Sequence, residues 1–257
     1  MIRWEQPAPH VGLAILDRQE RRNALNAELC DELRGHVERS HHLRAVVIAG
    51  EGSSFCAGAD IVRRTADHGG LQHGGADSFR PAFELLLDAI EAHPAPVIAA
   101  IHGYALGAGT QLVVACDFRV AGPGAIFGIP ASKLGIVLSA ANVRRLALLI
   151  GHTAARDLLV TSRQIDRDEA DRIGLVTRRV EDVRAEAIAF ASAIAALAPI
   201  TVQGHKRALN LVNAATALDA DALGEIRALE ESAFVSDDLQ EGLAAFAEKR
   251  LPDFQGR

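Results

Sequence analysis

The chain has 257 residues, of which 49% are hydrophobic and 23% are charged. These proportions are typical of globular proteins and exclude the disordered and fibrous classes. Because single cores stop growing at about 250 to 300 residues, the length predicts one compact domain. The net charge of −6 argues against a nucleic-acid scaffold, whose affinity comes from neutralising phosphates.

The cysteines and the long apolar runs indicate in which cellular compartment the protein is expected. Cys30, Cys56 and Cys116 are odd in number and widely spaced, which fits neither a disulfide framework nor a zinc site. The longest run without Asp, Glu, Lys or Arg, residues 92–116, is interrupted by prolines and glycines. A strand, a turn and a helix explain this run better than a membrane span does. No export signal begins the sequence, so we expect a cytoplasmic protein without a membrane span.

Strands and helices alternate in the first half of the chain. Apolar residues alternate over Val11–Leu16, which predicts a strand, and Asn26 is placed to cap the helix that follows. Two almost wholly apolar runs, 45–49 and 97–101, predict strands that are covered on both faces. A helix with Phe83, Leu86, Leu87 and Ile90 on one face is expected between these two strands.

The glycine-rich stretch 68–77, in the first half of the chain, has no core-forming pattern and predicts a mobile or lid-like loop.

Helices are expected to dominate the second half of the chain. The helical patterns after Phe127 cover residues 142–150, 153–160, 183–197, 206–212 and 218–234.

Two segments share a local design in which a buried strand ends in glycine and small residues and then leads into a helix. They are FCAGAD, 55–60, and YALGAG, 104–109. Small residues let a ligand approach the backbone, and a helix N-terminus presents unpaired N–H groups. Two such groups converging on one carbonyl oxygen would form an oxyanion hole. From spacing alone, tight packing of strand against helix explains the glycines equally well.

Five segments, in order and spacing, resemble the crotonase superfamily, the enoyl-CoA hydratase and isomerase family. They are RRNALN at 21–26, AVVIAGEGSSFCAGADI at 45–61, PVIAAIHGYALGAGTQLVVACDFRVA at 96–121, FGIPASKLGI at 127–136 and EKRLPDF at 248–254. The resemblance implies an α/β fold, with a crotonase-like spiral of ββα units over 1–198 and a helical C-terminal region over 199–257 that serves in oligomerisation and CoA closure. It also implies homotrimers or homohexamers, and a coenzyme A thioester as ligand or substrate without a further cofactor.

The resemblance assigns roles to individual positions. The two N–H groups of the family's oxyanion hole fall on Ala59 and Ala108. The positions expected to contact CoA are Arg22, Ala24, Ala57, Asp60, Ile61, Lys249 and Phe254. An aspartate at the position of Asp60 is more often structural than catalytic in the family.

The sequence departs from the family where hydratases carry two glutamates, because this chain has Gln111 and Ala131 there. Hydration needs one carboxylate to take a proton from water and a second to complete proton transfer at the α-carbon. A glutamine cannot accept a proton at neutral pH. Some relatives place an acidic residue where this chain has Ser139, which we expect to cap a helix rather than act as a base.

Two functions remain open from the sequence. The first is an acyl-CoA-binding protein of fatty-acid metabolism that is poor or inactive in hydration. The second is an active enoyl-CoA hydratase or isomerase whose acid or base is not identified. The histidines lack the spacing of metal ligands, and no G-x-S-x-G elbow occurs. A dinucleotide loop would need glycine where Phe55 stands.

Overall fold

The computed structural model describes residues 1–60, 78–131 and 138–214, with a few single residues beyond them. The strands are β1 Ile2–Ala8, β2 Val11–Leu16, β3 Ala45–Gly50, β4 Val97–Ile101, β5 Tyr104–Leu106, β6 Phe118–Ala121, β7 Ile126–Gly128, β8 Gln164–Asp166 and β9 Arg178–Arg179. The helices are α1 Ala27–Arg39, α2 Phe79–Ala92, α3 Ala108–Ala115, α4 Ala140–Thr161, α5 Arg167–Arg172, α6 Val183–Ala195 and α7 Pro199–Ala214, and a short 3₁₀ turn covers Gln19–Arg21.

Six strands form the main sheet in the order β1-β2-β3-β4-β6-β9. β1 runs antiparallel to β2, and the other neighbours in this sheet are parallel. A second sheet contains β5, β7 and β8, with β7 at its centre. This mixture of parallel strands and intervening helices confirms the predicted α/β class.

The main sheet is covered on both faces. All residues of β2, β3 and β4 are buried, as the apolar runs of β3 and β4 predict. Alternate residues of β3 join two different hydrophobic clusters: Val46 and Ile48 pack with α1 and α2, whereas Val47 and Ala49 pack with α6. Each strand therefore contributes side chains to two layers of core.

Three helical predictions are confirmed. The Asn26 side chain accepts a hydrogen bond from the N–H of Leu29 at 2.9 Å, so it caps α1. The predicted apolar face of α2 is buried throughout. α4 is interrupted at Gly151, where φ is +77° and ψ is 158°, so it is two helical pieces at the predicted places. The expected loop 68–77 and helix 218–234 lie outside the described residues.

A buried lysine anchors α7 at the edge of the main sheet where the parallel strands β4 and β6 begin. Lys206 Nζ donates to Asp117 Oδ2 at 2.7 Å and to the carbonyl oxygens of Ala95 and Ile90 at 3.2 and 3.3 Å. The nearby His93 ring is 1% exposed, with Nδ1 2.8 Å from the Ala95 carbonyl oxygen. Burial lowers the pKa of His93 to about 4, so the imidazole is neutral near pH 7.

Within the part of the chain that is described, no single helix has both the length and the hydropathy of a membrane span. The pair α6 and α7 passes that test only when taken together, and its two helices are bent by 106° at the break. The boundary expected between 198 and 199 coincides with the first residue of α7, but the two-region division itself stays a prediction.

Candidate functional site

The two glycine-rich segments lie side by side because they leave the carboxyl ends of the neighbouring parallel strands β3 and β4. Backbone hydrogen bonds join them: the N–H of Phe55 donates to His102 O at 2.9 Å, and that of Cys56 donates to Tyr104 O at 2.9 Å. In return, the N–H of Leu106 donates to Cys56 O at 3.0 Å. We call residues 56–60 the first turn and residues 104–109 the second turn.

Ala59 lies in an extended part of the first turn. The N–H of Leu25 donates to Gly58 O at 2.8 Å, and the N–H of Asp60 donates to Leu25 O at 2.8 Å. Successive residues of an extended segment direct their N–H groups to opposite sides. The N–H of Ala59 therefore points away from Leu25, on the side of the chain opposite the RRNAL segment.

Ala108 is the first residue of α3, so its N–H has no partner within the helix. The preceding Gly107 has φ +56°, and its N–H donates to Gly128 O at 2.8 Å, which ties the helix start to β7. The two turns approach closely here, because a Cβ added to Gly58 would lie 2.9 Å from Leu106 O and 3.8 Å from Ala108 N. Gly58 also has φ +109°, which glycine adopts without strain.

The start of α3 also lies in close contact with the first turn. A Cβ on Gly109 would overlap the carbonyl oxygen of Cys56, so only glycine fits at this position. Thr110 Oγ1 lies 2.6 Å from Ala105 O and accepts from the Gly128 N–H at 3.2 Å. These contacts fix the start of α3 against β5 and β7 of the smaller sheet.

Gln111 and Ala131 are both placed near the second turn. Gln111 is half-buried in α3, with its N–H donating to Gly107 O at 3.1 Å, and its carboxamide has no hydrogen-bond partner among the described residues. Ala131 is buried in the turn after β7. Its neighbour Pro130 has Cδ 4.0 Å from the position of a Cβ on Gly107. The chain therefore passes close to Gly107 of the second turn at Gln111 and again next to Ala131.

The RRNAL segment, residues 21–25, lies along the first turn. The N–H of Ala57 donates to Arg22 O at 2.9 Å, and Ala24 is buried beside this contact. Arg22 is exposed. Arg22 and Asn23 both have left-handed backbones, with φ +49° and +57°. The other positions assigned to CoA, Ile61, Lys249 and Phe254, lie outside the described residues.

Asn23 holds this segment in place and was not among the predicted site residues. Its carboxamide is fully buried and donates to the carbonyl oxygens of Glu51 at 2.9 Å and Ser54 at 2.8 Å. Its Oδ1 accepts from the backbone N–H of Arg18 at 2.9 Å. The only sequence signal was its residue type, because asparagine tolerates the left-handed region better than most residues.

Arg18 is a second residue that the sequence did not indicate. One guanidinium nitrogen donates to Ala24 O at 2.9 Å, and another donates to Asp60 Oδ2 at 2.7 Å. The Asp60 carboxylate, 5% exposed, therefore forms an ion pair with Arg18 at the end of the first turn.

The remaining candidate groups are structural. Ser139 Oγ accepts from the Asn142 N–H at 3.4 Å and caps α4, as expected. The three cysteines are free and buried. Burial raises the pKa of Cys56 and Cys116 to about 12 and that of Cys30 further, so all three are neutral thiols rather than nucleophilic thiolates. No group of His, Cys, Asp and Glu in the described ranges could hold a metal ion.

Residues 9–257 match the model of the family described as enoyl-CoA hydratase/isomerase, and the chain belongs to this family. It is 38% identical over 251 residues to the probable enoyl-CoA hydratase echA6 of Mycobacterium tuberculosis, covering 94% of each chain. It is 37% identical over 252 residues to the probable enoyl-CoA hydratase echA8 of the same organism, covering 96% and 95%. An enoyl-CoA hydratase structure from Bacillus anthracis superposes with a TM-score of 0.89 at 34% identity, covering 100% and 99%.

Proposed function

We propose that this chain binds an acyl-CoA thioester, with the N–H groups of Ala59 and Ala108 directed at the thioester carbonyl oxygen, and that it hydrates enoyl-CoA poorly or not at all. Family membership supports the ligand class, because its relatives are described as enoyl-CoA hydratases. The packing of the first turn against the second supports the paired amides. In this proposal Arg22 and Ala24 lie along one side of the CoA, and Ala57 and Asp60 line the other side. The proposed role of the protein is in fatty-acid metabolism.

The observation that carries the proposed lack of hydration is the absence of a free carboxylate at the two turns. Among the described residues that form these turns, Asp60 is the one carboxylate, and it is paired with Arg18 at 2.7 Å. Gln111 and Ala131 occupy the positions where the resemblance places glutamates. General acid or base groups contribute about 10²- to 10⁴-fold each, so lacking both would suppress hydration strongly. An active hydratase or isomerase would need a proton-transfer group from elsewhere in the chain.

Binding is tested by calorimetry with free CoA and with short, medium and long acyl-CoAs. We expect a dissociation constant in the micromolar range for at least one acyl-CoA. This range corresponds to a standard binding free energy of about −8 kcal/mol. Ala108→Pro removes one of the proposed amide donors and should weaken acyl-CoA more than free CoA. No binding of any of these ligands would refute the proposal.

Hydration is tested with crotonyl-CoA by loss of its conjugated absorbance. We expect the parent to be far slower than an ordinary hydratase, and Gln111→Glu with Ala131→Glu to gain measurable activity. The larger side chain at 131 costs about 1 to 3 kcal/mol if the site cannot expand, so both single variants are assayed as well. Fast turnover by the parent would support the active enzyme instead. A folded, acyl-CoA-binding double variant without activity would refute our account of what the site lacks.

We also propose assembly into homotrimers or homohexamers in the cytoplasm. Exposed apolar side chains on α7 support a subunit contact, since Leu209 is 63% exposed and Val212 is 50% exposed. Light scattering after size-exclusion chromatography tests this, and a monomer at micromolar concentration would refute it.

A further inference from the structure

The side chain of Asn23 joins the RRNAL segment to the loop that follows β3. Its Nδ2 donates to Glu51 O at 2.9 Å and to Ser54 O at 2.8 Å, and its Oδ1 accepts from the Arg18 N–H at 2.9 Å. The side chain is fully buried, so water cannot replace these partners. Because a carboxamide has two N–H donors, both of them are used here.

The backbone of Asn23 restricts which residue types fit at this position. Its φ is +57°, in the left-handed region that asparagine tolerates better than most residues. Glycine would adopt the same backbone without strain but would lose all three side-chain contacts. Aspartate would keep the acceptor oxygen, but its carboxylate has no N–H to donate. Asparagine therefore combines the required backbone with both donors.

The segment that Asn23 holds is bonded to the first turn on both sides of Ala59. The N–H of Leu25 donates to Gly58 O at 2.8 Å, and Leu25 O accepts from the Asp60 N–H at 2.8 Å. Leu25 and Ala59 thus form a parallel β-bridge. The direction of the Ala59 N–H consequently depends on where the backbone of Leu25 lies.

Asn23 fixes that backbone relative to the main sheet. Glu51 directly follows β3, and its N–H donates to Leu16 O of β2 at 2.9 Å. The Glu51 carbonyl oxygen that Asn23 binds is therefore itself held by the sheet. Leu25 lies only two residues beyond Asn23, so a continuous series of hydrogen bonds leads from the sheet through Asn23 and Leu25 to the backbone on either side of Ala59.

We infer that Asn23 is a positioning residue for the acyl-CoA site: its buried carboxamide holds the RRNAL segment against the end of β3 and, through Leu25, keeps the Ala59 amide directed at the thioester carbonyl oxygen. Asn23 itself does not touch the ligand. The inference rests on the proposed function and adds to it a side chain that orients one of the two amides.

The test uses 4-dimethylaminocinnamoyl-CoA, whose absorption shifts to the red when its carbonyl oxygen accepts stronger hydrogen bonds. At saturating probe the shift is a property of the bound complex, so a lower stability of the protein alone does not change it. We expect a red shift with the parent, and we expect Asn23→Gly and Asn23→Asp to lose most of it. Asn23→Gly removes the three contacts, whereas Asn23→Asp keeps the size and places a carboxylate oxygen against two carbonyl oxygens.

Asn210→Ala is the matched control, because the Asn210 carboxamide also donates to a backbone carbonyl oxygen of a separate segment, Glu91 O, at 2.8 Å. This variant loses a contact between α7 and α2, outside the two turns, and should keep the full red shift. If neither Asn23 variant folds by circular dichroism, Asn23→Ser is measured in their place with the same expectation. If Asn23→Ser does not fold either, Asn23 serves folding alone and the positioning role is refuted.

The outcomes separate this inference from the proposed function. A parent protein that neither binds the probe nor shifts its spectrum refutes the proposed function. A parent that shifts the spectrum, with a folded Asn23→Gly that shifts it equally, refutes the positioning role alone. A folded Asn23→Asp with the full shift shows that the two donated hydrogen bonds do not orient the amide, which also refutes the positioning role. Loss of the shift in Asn210→Ala would refute it as well, because the loss would then not be specific to Asn23.

Discussion

The buried imidazole of His93 makes the stability of this fold depend on pH. His93 is 1% exposed, its Nδ1 faces the Ala95 carbonyl oxygen, and its Nε2 lies 3.2 Å from Ser40 Oγ. Burial is the largest cause of its low pKa, and the positive charge of Lys206 lowers the pKa further. The folded protein thus resists protonation at this site, while the unfolded chain takes up the proton at the ordinary histidine pKa of 6.5.

The size of the effect follows from this difference in pKa. Between pH 6.5 and about 4 the unfolded state binds one more proton at His93, so the free energy of unfolding falls as the pH falls. At 1.36 kcal/mol per pKa unit, the loss attributable to His93 is about 3 kcal/mol over that window. The His93→Gln variant has no titratable group at this position. Its free energy of unfolding should therefore lack the pH-dependent loss that is attributed to His93.

Urea unfolding followed by circular dichroism measures the prediction. The free energy of unfolding is determined for the parent and for His93→Gln at several pH values from 7 to 4. At pH 7, the difference in the free energy of unfolding between the variant and the parent gives the packing effect of the substitution. This packing effect does not depend on pH. We expect the two curves to converge toward acid pH, and curves that stay parallel would refute the assignment of a neutral buried imidazole.

Other substitutions probe the lysine anchor and the two turns. Lys206→Met should lower the free energy of unfolding by about 3 to 5 kcal/mol in urea, because the Asp117 carboxylate, which is only 22% exposed, loses its counter-ion. A loss below about 1 kcal/mol would contradict this. Gly107→Ala should cost about 1 to 3 kcal/mol in the same assay, because its φ of +56° and ψ of −114° form a backbone conformation that side chains rarely adopt, although no atom lies within 3.9 Å of the new Cβ. Gly109→Ala should cost more than Gly107→Ala, because its Cβ overlaps Cys56 O, and equal losses would contradict the close approach of the turns.

The parts of the fold that depend on local pattern could be predicted from the sequence. The wholly apolar runs of β3 and β4, the cap at Asn26 and the apolar face of α2 each follow from spacing and residue type over a few positions. β1 was missed because its residues alternate poorly between apolar and polar. β1 is mostly exposed, and it is held in the sheet by antiparallel pairing with β2.

The site was predictable to the extent that its motifs are contiguous. The second glycine-rich turn leads into α3 as predicted, whereas the helix expected after the first turn lies outside the described residues. The adjacency of the two turns follows from two neighbouring parallel strands. The contact of Arg18 with Asp60 was not predictable, because nothing in a local pattern indicates a partner 42 residues away. Asn23 was missed for a similar reason, since its carboxamide satisfies carbonyl oxygens that belong to a separate loop.

The reactivity of the three buried thiols can report how often different parts of this protein open locally. Cys30 lies in α1, Cys56 in the first turn and Cys116 just after α3, so they sample three different elements. A thiol reagent cannot reach them in the closed protein, and each reacts only as often as its surroundings open. Labelling rates with and without acyl-CoA would therefore show whether a ligand slows the opening of the turn at Cys56 more than that of the helices on either side.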